Sequence, residues 1–359
     1  MKKIDKTLFF TIVILSVFGV VMIFSASYIW AEYKYSDPLK FVKNQGFFLI
    51  VGLMMMIMIS KIDYKIYYKH AKKLLIFCIV LLILVLIPGI GSVRNGSRSW
   101  FGIGSFGIQP SEFTKLALII FISKYLSNDI KKVKNIKKGI LPILILTLFI
   151  FGLIMLQPDF GTGSILVMSI IGLLFISGVN LSFFKKIAIL GAIGVTVLIL
   201  IAPYRLERIL SFLNPWEDPL GSGFQIIQSL YAIGPGGLFG LGFGNSIQKN
   251  FYLPEPQTDF IFAIISEEFG FLGVVIVTSL FLTLIYRGFK ISNRQNDLFA
   301  KFLSFAIIFQ IGFQAILNLM VVVGLIPVTG VTLPFLSYGG SSLLITLASM
   351  GIVLNISRN

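Results

Sequence analysis

One cysteine, one histidine and fifteen acidic residues in a chain of 359 leave little of the usual equipment of a soluble enzyme. Cys78 stands alone, so no intramolecular disulfide can brace the fold. His70 is also alone and lies in a Lys-rich stretch, expected as a loop, which excludes a histidine-based zinc site and a Ser-His-Asp triad. Charged residues make up only 13% of the chain, about half the share a globular domain carries. The glycine-rich stretch 234–244 has no β-α-β unit around it and no Lys-Ser/Thr pair after it. A dinucleotide cradle and a P-loop both lack their required context. Tight turns that permit close packing are the expectation for those glycines.

Apolar residues are what the chain has in quantity, at 56% with a mean hydropathy of +0.93. Runs long enough to cross a hydrocarbon core of about 30 Å, which takes roughly 20 helical residues, recur from one end to the other. Spans are expected near 7–27, 45–60, 74–90, 113–126, 139–156, 164–180, 187–203, 260–285, 302–325 and 343–355. The predicted fold is an all-α polytopic membrane protein of about ten transmembrane helices, one integral unit over residues 1–359. A cleaved signal peptide is not expected, because the first apolar run is itself long enough to span.

The net charge of +15 does not call for nucleic acid once the cations are placed. On the side of the termini lie Lys2, Lys3 and Lys6, five from Lys61 to Lys73, six from Lys124 to Lys138, Lys185 and Lys186, four from Arg287 to Lys301, and Arg358. The other side holds eight, Arg94, Arg98, Arg205 and Arg208 among them, and Lys115 falls at a membrane edge. This asymmetry puts both termini in the cytoplasm by the positive-inside rule. Basic clusters beside anionic membrane lipid account for the excess.

Four outer segments, about 91–112, 157–163, 204–259 and 326–342, carry most of the Pro, Gly, Trp and acidic punctuation. Function is expected there, on the extracytoplasmic face. The third, between helices seven and eight, is too long for a plain connector. Within it Phe224 to Ile233 reads as an amphipathic helix with Phe224, Ile227 and Tyr231 near helical spacing, lying on the membrane or folded back over the helices.

Ionisable groups at the rim of a membrane are costly, so those present are usually paired, water-facing or functional. The first constellation runs from Arg94 through Arg98 to Trp100, then Gln109, Pro110, Ser111, Glu112 and Lys115. Pro110 and Ser111 signal a helix start. Glu112 and Lys115 could equally be a self-satisfying i,i+3 pair. The second is Gln157 to Gly163, where Asp159 is equally suited to cap the next helix. The third is Leu253 to Phe260, a proline-stiffened loop presenting Glu255, Thr258 and Asp259, with capping by Asp259 as the alternative role. Glu267 and Glu268 follow two turns deeper. The fourth, Gly324 to Ser342, contains Ser337 and Tyr338 in a dense set of Gly, Pro and Ser, as expected of a broken or re-entrant segment.

Taken together, Asn95 to Trp100, Gln109 to Lys115, Gln157 to Thr162, Pro254 to Phe260 and Pro327 to Ser342 resemble the ordered landmarks of the shape, elongation, division and sporulation family, FtsW, RodA and SpoVE. The likeness runs nearly end to end, and the Pro254 to Asp259 form is closer to division and sporulation members. It implies a peptidoglycan glycosyltransferase that polymerises lipid II into glycan strands at the outer face of the cytoplasmic membrane. Carried over by motif, Asp259 matches the family's essential outer-loop aspartate, Lys115 a cavity lysine and Arg98 a cavity arginine. Many relatives place Arg immediately before the Trp, whereas Ser99 stands there in this chain. Partners implied are lipid II and its undecaprenyl-linked product, and a class B penicillin-binding protein acting as transpeptidase.

The chemistry is unequal at its two ends. The acceptor hydroxyl needs a base, for which Asp259 is the candidate. The leaving pyrophosphate needs cations, for which Arg98, Lys115 and Arg94 are candidates. One essential carboxylate with direct displacement implies inversion, not the paired carboxylates of a glycosidase. Glu112, Glu255, Thr258, Asp159, Ser337 and Tyr338 complete the expected substrate-binding set. No nucleotide, haem or zinc is expected, while a divalent cation, Mg2+ or Mn2+, is compatible with a pyrophosphate donor. Rival readings are a lipid II flippase or other lipid-linked sugar transporter, a non-catalytic scaffold, and an O-antigen-ligase-like transferase.

Overall fold

The computed structural model describes residues 4–94, 96–102, 107–201 and 203–358. Lys2, Lys3, Asn95 and the side chains of Arg205 and Arg208, named above, lie outside the described residues. In chain order come α1 (Lys6–Tyr35), α2 (Lys40–Ile59), α3 (Lys65–Leu84), β1 (Ser92–Arg94), β2 (Ser97–Trp100), α4 (Pro110–Asn128), α5 (Leu141–Met155) and α6 (Phe160–Ile176). Then follow α7 (Leu181–Ile201), α8 (Pro203–Leu213), α9 (Phe224–Ile233), α10 (Ile261–Asn293), α11 (Leu298–Val322) and α12 (Gly340–Ile356).

Every predicted apolar segment falls on a helix, but helix ends and apolar ends differ. The third helix occupies Lys65–Leu84, not 74–90, and takes His70 into its early turns instead of leaving it in a loop. Lysine and alanine, as in Lys65, Lys69, Ala71, Lys72 and Lys73, propagate a helix readily, so the backbone is helical well before the apolar boundary. The all-α expectation needs one correction. β1 and β2 form an antiparallel hairpin pairing Val93 with Arg98 and Arg94 with Ser97. Gly96, at φ 79, supplies the left-handed turn residue.

Among the described residues, five helical stretches are long and apolar enough to cross a membrane: α1, α2, α10, α11 and Ile136–Met155, which includes α5. Shorter apolar helices are α6 and α12. This is a multi-pass membrane protein. In the bundle α2 packs along α12, α3 along α4, α11 against α6, α4 and α10, and α1 against α10 and α2. Helix α7 touches α8 and leaves Ile189, Leu190 and Leu200 exposed.

One end of the bundle is closed by polar contacts. Asp5 caps α1 by accepting from Leu8 N–H at 2.9 Å, its own N–H donates to Ser357 Oγ at 3.1 Å, and its carboxylate pairs with Arg287. Asn355 donates to Ser60 O at 3.0 Å and accepts from Tyr64 N–H at 3.1 Å. The start of α1 and the ends of α10 and α12 therefore share one end, and the start of α10 at Ile261 lies at the other.

Two irregular segments enter the bundle from that other end. The first, 323–339, buries Val331, Leu333, Phe335 and Leu336 and reaches the middle of α1, where a Cβ on Gly19 would stand 2.4 Å from the Phe335 carbonyl oxygen. Irregular backbone at that depth needs protein partners. Gln45 supplies them, donating to Ser337 O at 3.2 Å and accepting from Gly339 N–H at 3.1 Å. Asn318 donates to Val331 O at 2.8 Å and Gln314 to Thr332 O at 3.0 Å.

The second segment, 234–249, fits into a break in α10. Gly270 has φ 60 and ψ −157, outside helical space. Across the gap Leu241 N–H donates to Glu267 O at 2.9 Å and Gly242 N–H to Glu268 O at 3.0 Å. Phe271 N–H donates to Gly237 O at 2.8 Å and Leu272 N–H to Leu238 O at 3.1 Å. The loop thus stands in for the hydrogen bonds the helix lacks. A Cβ on Gly240 would lie 2.2 Å from Glu268 O, so this glycine does serve close packing. Helix α9 has its predicted bounds but is rotated: Ile226, Ile227 and Ala232 are buried and Tyr231 is exposed. It folds back over α11, with Ser229 Oγ donating to Val322 O at 2.7 Å.

Candidate active site

All five motifs converge at the end of the bundle away from Asp5. The hairpin reaches the α5–α6 turn, where Ser97 Oγ donates to Gln157 O. The start of α4 reaches the same turn, with Gln109 Nε2 donating to Asp159 Oδ2 at 2.9 Å. Asp159 Oδ1 accepts from Thr162 N–H at 3.0 Å, so its capping role is the one observed, and it ties α4 to α6 as well. A Cβ on Gly161 would meet Thr329 O at 2.7 Å, which places the 323–339 segment directly against α6. Tyr338 N–H donates to Gln257 O at 2.8 Å and joins that segment to the Asp259 loop.

Within this frame Asp259 is half-buried and its carboxylate accepts from Thr258 Oγ at 2.6 Å. Thr258 N–H closes a turn onto Glu255 O at 3.0 Å. Glu255 is exposed, with φ 45, between Pro254 and Pro256. A left-handed residue between two prolines holds the loop in one shape. The Asp259 carbonyl accepts from Asn318 Nδ2 at 2.6 Å. The N-cap residue of α10 is Phe260 and makes no side-chain cap bond, so the capping alternative for Asp259 is not the arrangement seen.

The cations approach differently. Lys115 is buried and paired with Glu112 at 2.8 Å, the self-satisfying i,i+3 pair weighed from sequence. Ser342 Oγ donates to Glu112 at 3.4 Å and joins the pair to the start of α12. Arg94 stacks on Trp100 at 5.0 Å and packs against Gly107, where a Cβ would sit 2.7 Å from the guanidinium. Arg98, half-buried, lays its aliphatic stem near Gly91. Burial pushes the Tyr338 hydroxyl above its ordinary pKa, opposed by a bond from Asn44 and by the charge of Arg94. Burial likewise pushes the Asp159 carboxyl up, against its Thr162 bonds and the Lys115 charge, with Glu112 adding to the rise. Asp159, Lys115 and Glu112 therefore share one electrostatic neighbourhood, and Arg94 and Tyr338 share another. Ser337 braces the backbone, its Oγ accepting from Leu333 N–H at 2.8 Å.

Buried polar atoms without partners gather here. Of eleven such side-chain atoms among the described residues, seven belong to Ser111, Gln157 (both amide atoms), Gln257, Asn318, Thr329 and Ser341. Each unpaired buried group costs about 1–3 kcal/mol, and native folds hold few of them. Their concentration marks a place completed by water or a polar ligand. Beside Glu112 a narrow crevice lies between α4, α11 and α12, walled by Gln310, Gln314, Thr346 and Ser349 with Ile307, Ile311 and Ile345. Gln45, Gln314 and Asn318 were not singled out from sequence. Amide side chains inside apolar runs were the signal that could have found them.

The sequence model of the FtsW/RodA/SpoVE family, described as Cell cycle protein, matches residues 6–359. The chain belongs to this family. It is 51% identical over 359 residues to stage V sporulation protein E of Bacillus subtilis, covering 99% of this chain and 98% of that one. It is 42% identical over 353 residues to a probable peptidoglycan glycosyltransferase FtsW of Trichlorobacter lovleyi, covering 98% and 93%. Among solved structures, a chain of a peptidoglycan synthase complex, in a work on the structural coordination of polymerization and crosslinking, superimposes with a TM-score of 0.82 at 32% identity, covering 99% and 98%. RodA of Thermus thermophilus does so with 0.73 at 29% identity, covering 99% and 97%.

Proposed function

We propose that this family member is a peptidoglycan glycosyltransferase that polymerises lipid II into glycan strands, with inversion, at the outer face of the cytoplasmic membrane. One observation carries the reading. The Asp259 loop, the cation-bearing hairpin and most of the unpartnered buried polar atoms meet at one end of the bundle, opposite the contact between Asp5 and Ser357. Helices α1 to α7 and α10 to α12 are then ten spans, with α8 and α9 in the outer loop and both termini cytoplasmic, in accord with the basic clusters. The relatives named as peptidoglycan glycosyltransferases support the same chemistry.

In this reading Asp259 takes the proton from the acceptor sugar hydroxyl as oxygen attacks the donor anomeric carbon. The bond to pyrophosphate breaks, and Arg98, Arg94 and Lys115 stabilise the charge that leaves. Thr258 donates to the Asp259 carboxylate and orients it. Glu112 holds Lys115 in place until pyrophosphate competes for it. Asp159 sets α4 against α6, and Ser337 and Tyr338 hold the opposite wall. A divalent cation, Mg2+ or Mn2+, would offset leaving-group charge. Glu255, exposed on the same loop, is the carboxylate that would hold it together with the pyrophosphate while Asp259 takes the proton. No group of three potential ligands occurs among the described residues.

A class B penicillin-binding protein is the proposed partner, supported by the match to a complex that couples polymerisation to crosslinking. The flippase alternative would draw on Glu267 and Glu268, and both are held by protein groups. The test is Asp259→Asn, purified with its transpeptidase and given fluorescent lipid II. Strand formation should fall at least about 100-fold, the lower end of what a general base supplies, with lipid II still bound. Wild-type polymerisation by this variant would refute the assignment.

A further inference from the structure

Below the Asp259 loop lies a second buried cluster that the chemistry above does not use. Lys249 Nζ pairs with Glu268 Oε1 at 2.9 Å, with both side chains buried. Ser25 of α1 donates to the same oxygen at 2.5 Å and stands 3.2 Å from Lys249 Nζ. Glu267 accepts from Ile247 N–H at 2.8 Å and from Ser246 Oγ. Placing these ions in the interior is costly, and well-packed apolar residues of similar volume often stabilise a fold as well or better. Stability alone does not explain them.

Their place in the chain does. Lys249 and Glu268 are 19 residues apart, and Asp259 lies midway between them. From Lys249 the chain runs through a Leu253 N–H bond to Gln248 O at 2.8 Å, two prolines and the Thr258 turn to Asp259. From Asp259 it returns down the first part of α10, Ile261 to Phe269, to Glu268 beside the Gly270 break. The excursion is closed at its base by the ion pair and carries the proposed base at its tip. Above the break, the first part of α10 is held by burial of Phe260 to Ile265 and by the bonds of Leu241 and Gly242 to Glu267 O and Glu268 O. The clasp adds the side-chain tie at its base, and Asn318 and Tyr338 add theirs at the tip.

We propose that Lys249 and Glu268 are positioning residues for polymerisation, a clasp that fixes Asp259 by closing the base of its loop and tying it to α1 through Ser25. This rests on the reading of Asp259 as the base. A displacement of about 1 Å at a reacting group can cost 10²-fold in rate, so opening the clasp should lower kcat with little change in KM.

The experiment compares Lys249→Met, Glu268→Gln and the double variant Lys249→Met/Glu268→Met, each in complex with the transpeptidase and assayed on lipid II. Asp259→Asn serves as the reference. Either single variant should lose roughly 10- to 100-fold in kcat, with KM within about 2-fold. The double variant, which removes the buried ion pair without leaving either partner alone, should regain the thermal midpoint and not the rate. A double variant with a native midpoint and wild-type kcat would overturn the inference while Asp259→Asn stays inactive. If Asp259→Asn itself polymerises, the base assignment falls instead. Should a single variant fail to fold, the double variant alone decides.

Discussion

Replacing Gly19 with alanine is the sharpest perturbation of the wall opposite Asp259. Gly19 sits in the middle of α1, where an added Cβ would stand 2.4 Å from the carbonyl oxygen of Phe335 and 2.8 Å from Leu336 Cα. Comfortable contact between such atoms is about 3.5 Å, so the segment must retreat by roughly 1 Å. Phe335 and Leu336 continue directly into Ser337 and Tyr338, and Tyr338 N–H holds Gln257 O two residues before Asp259. The push therefore arrives at the proposed base. An overpacked core costs about 1–3 kcal/mol, and misplacement of about 1 Å costs up to 10²-fold in rate. Gly152→Ala is the control, since an added Cβ there meets nothing within 4 Å. Thermal unfolding in nanodiscs and gel analysis of strands from fluorescent lipid II measure the two effects. If Gly19→Ala polymerises like Gly152→Ala, the coupling from α1 through the re-entrant segment to Asp259 is wrong.

Lys115→Met should destabilise by about 3–5 kcal/mol, because Glu112 is left buried without its partner. The further change Glu112→Gln should restore the thermal midpoint without restoring strand synthesis, and a variant pair that regains activity would remove Lys115 from the site. Asp159 has a raised pKa in the folded state, burial being the main cause. Its protonated form is the one folding favours, so its contribution is fully present below the unfolded value of about 3.9 and is lost as pH rises through the folded one. Unfolding midpoints from pH 4 upward should thus fall more steeply for the wild type than for Asp159→Asn, and parallel curves would contradict the burial argument.

Helices were legible because the membrane imposes a length and a composition on anything that crosses it, so apolar runs mark them whatever surrounds them. The helix start at Pro110 was equally legible, since Pro at the first position is a local signal. What stayed hidden depends on contacts between distant residues. The break at Gly270 shows in sequence only as one more glycine in an apolar run, and its hydrogen-bond partners lie near Gly237 and Leu241. The hairpin was missed although Asn-Gly at positions 95 and 96 is a turn signal in the sequence, because apolar periodicity says little about a polar loop. The family likeness picked out Asp259 and Lys115 by motif, and helix spacing already offered the Glu112 to Lys115 pair that is observed, but the support that Gln45 and Asn318 give the loops depends on contacts that no local pattern encodes.

The interruption of α10 also bears on how the molecule breathes. Phe271 and Leu272 owe the protection of their amides to Gly237 and Leu238, while Leu241 and Gly242 owe theirs to Glu267 and Glu268. Four amides from two distant stretches should then exchange with deuterium as one cooperative unit, at a rate set by withdrawal of the inserted segment and not by fraying of a helix.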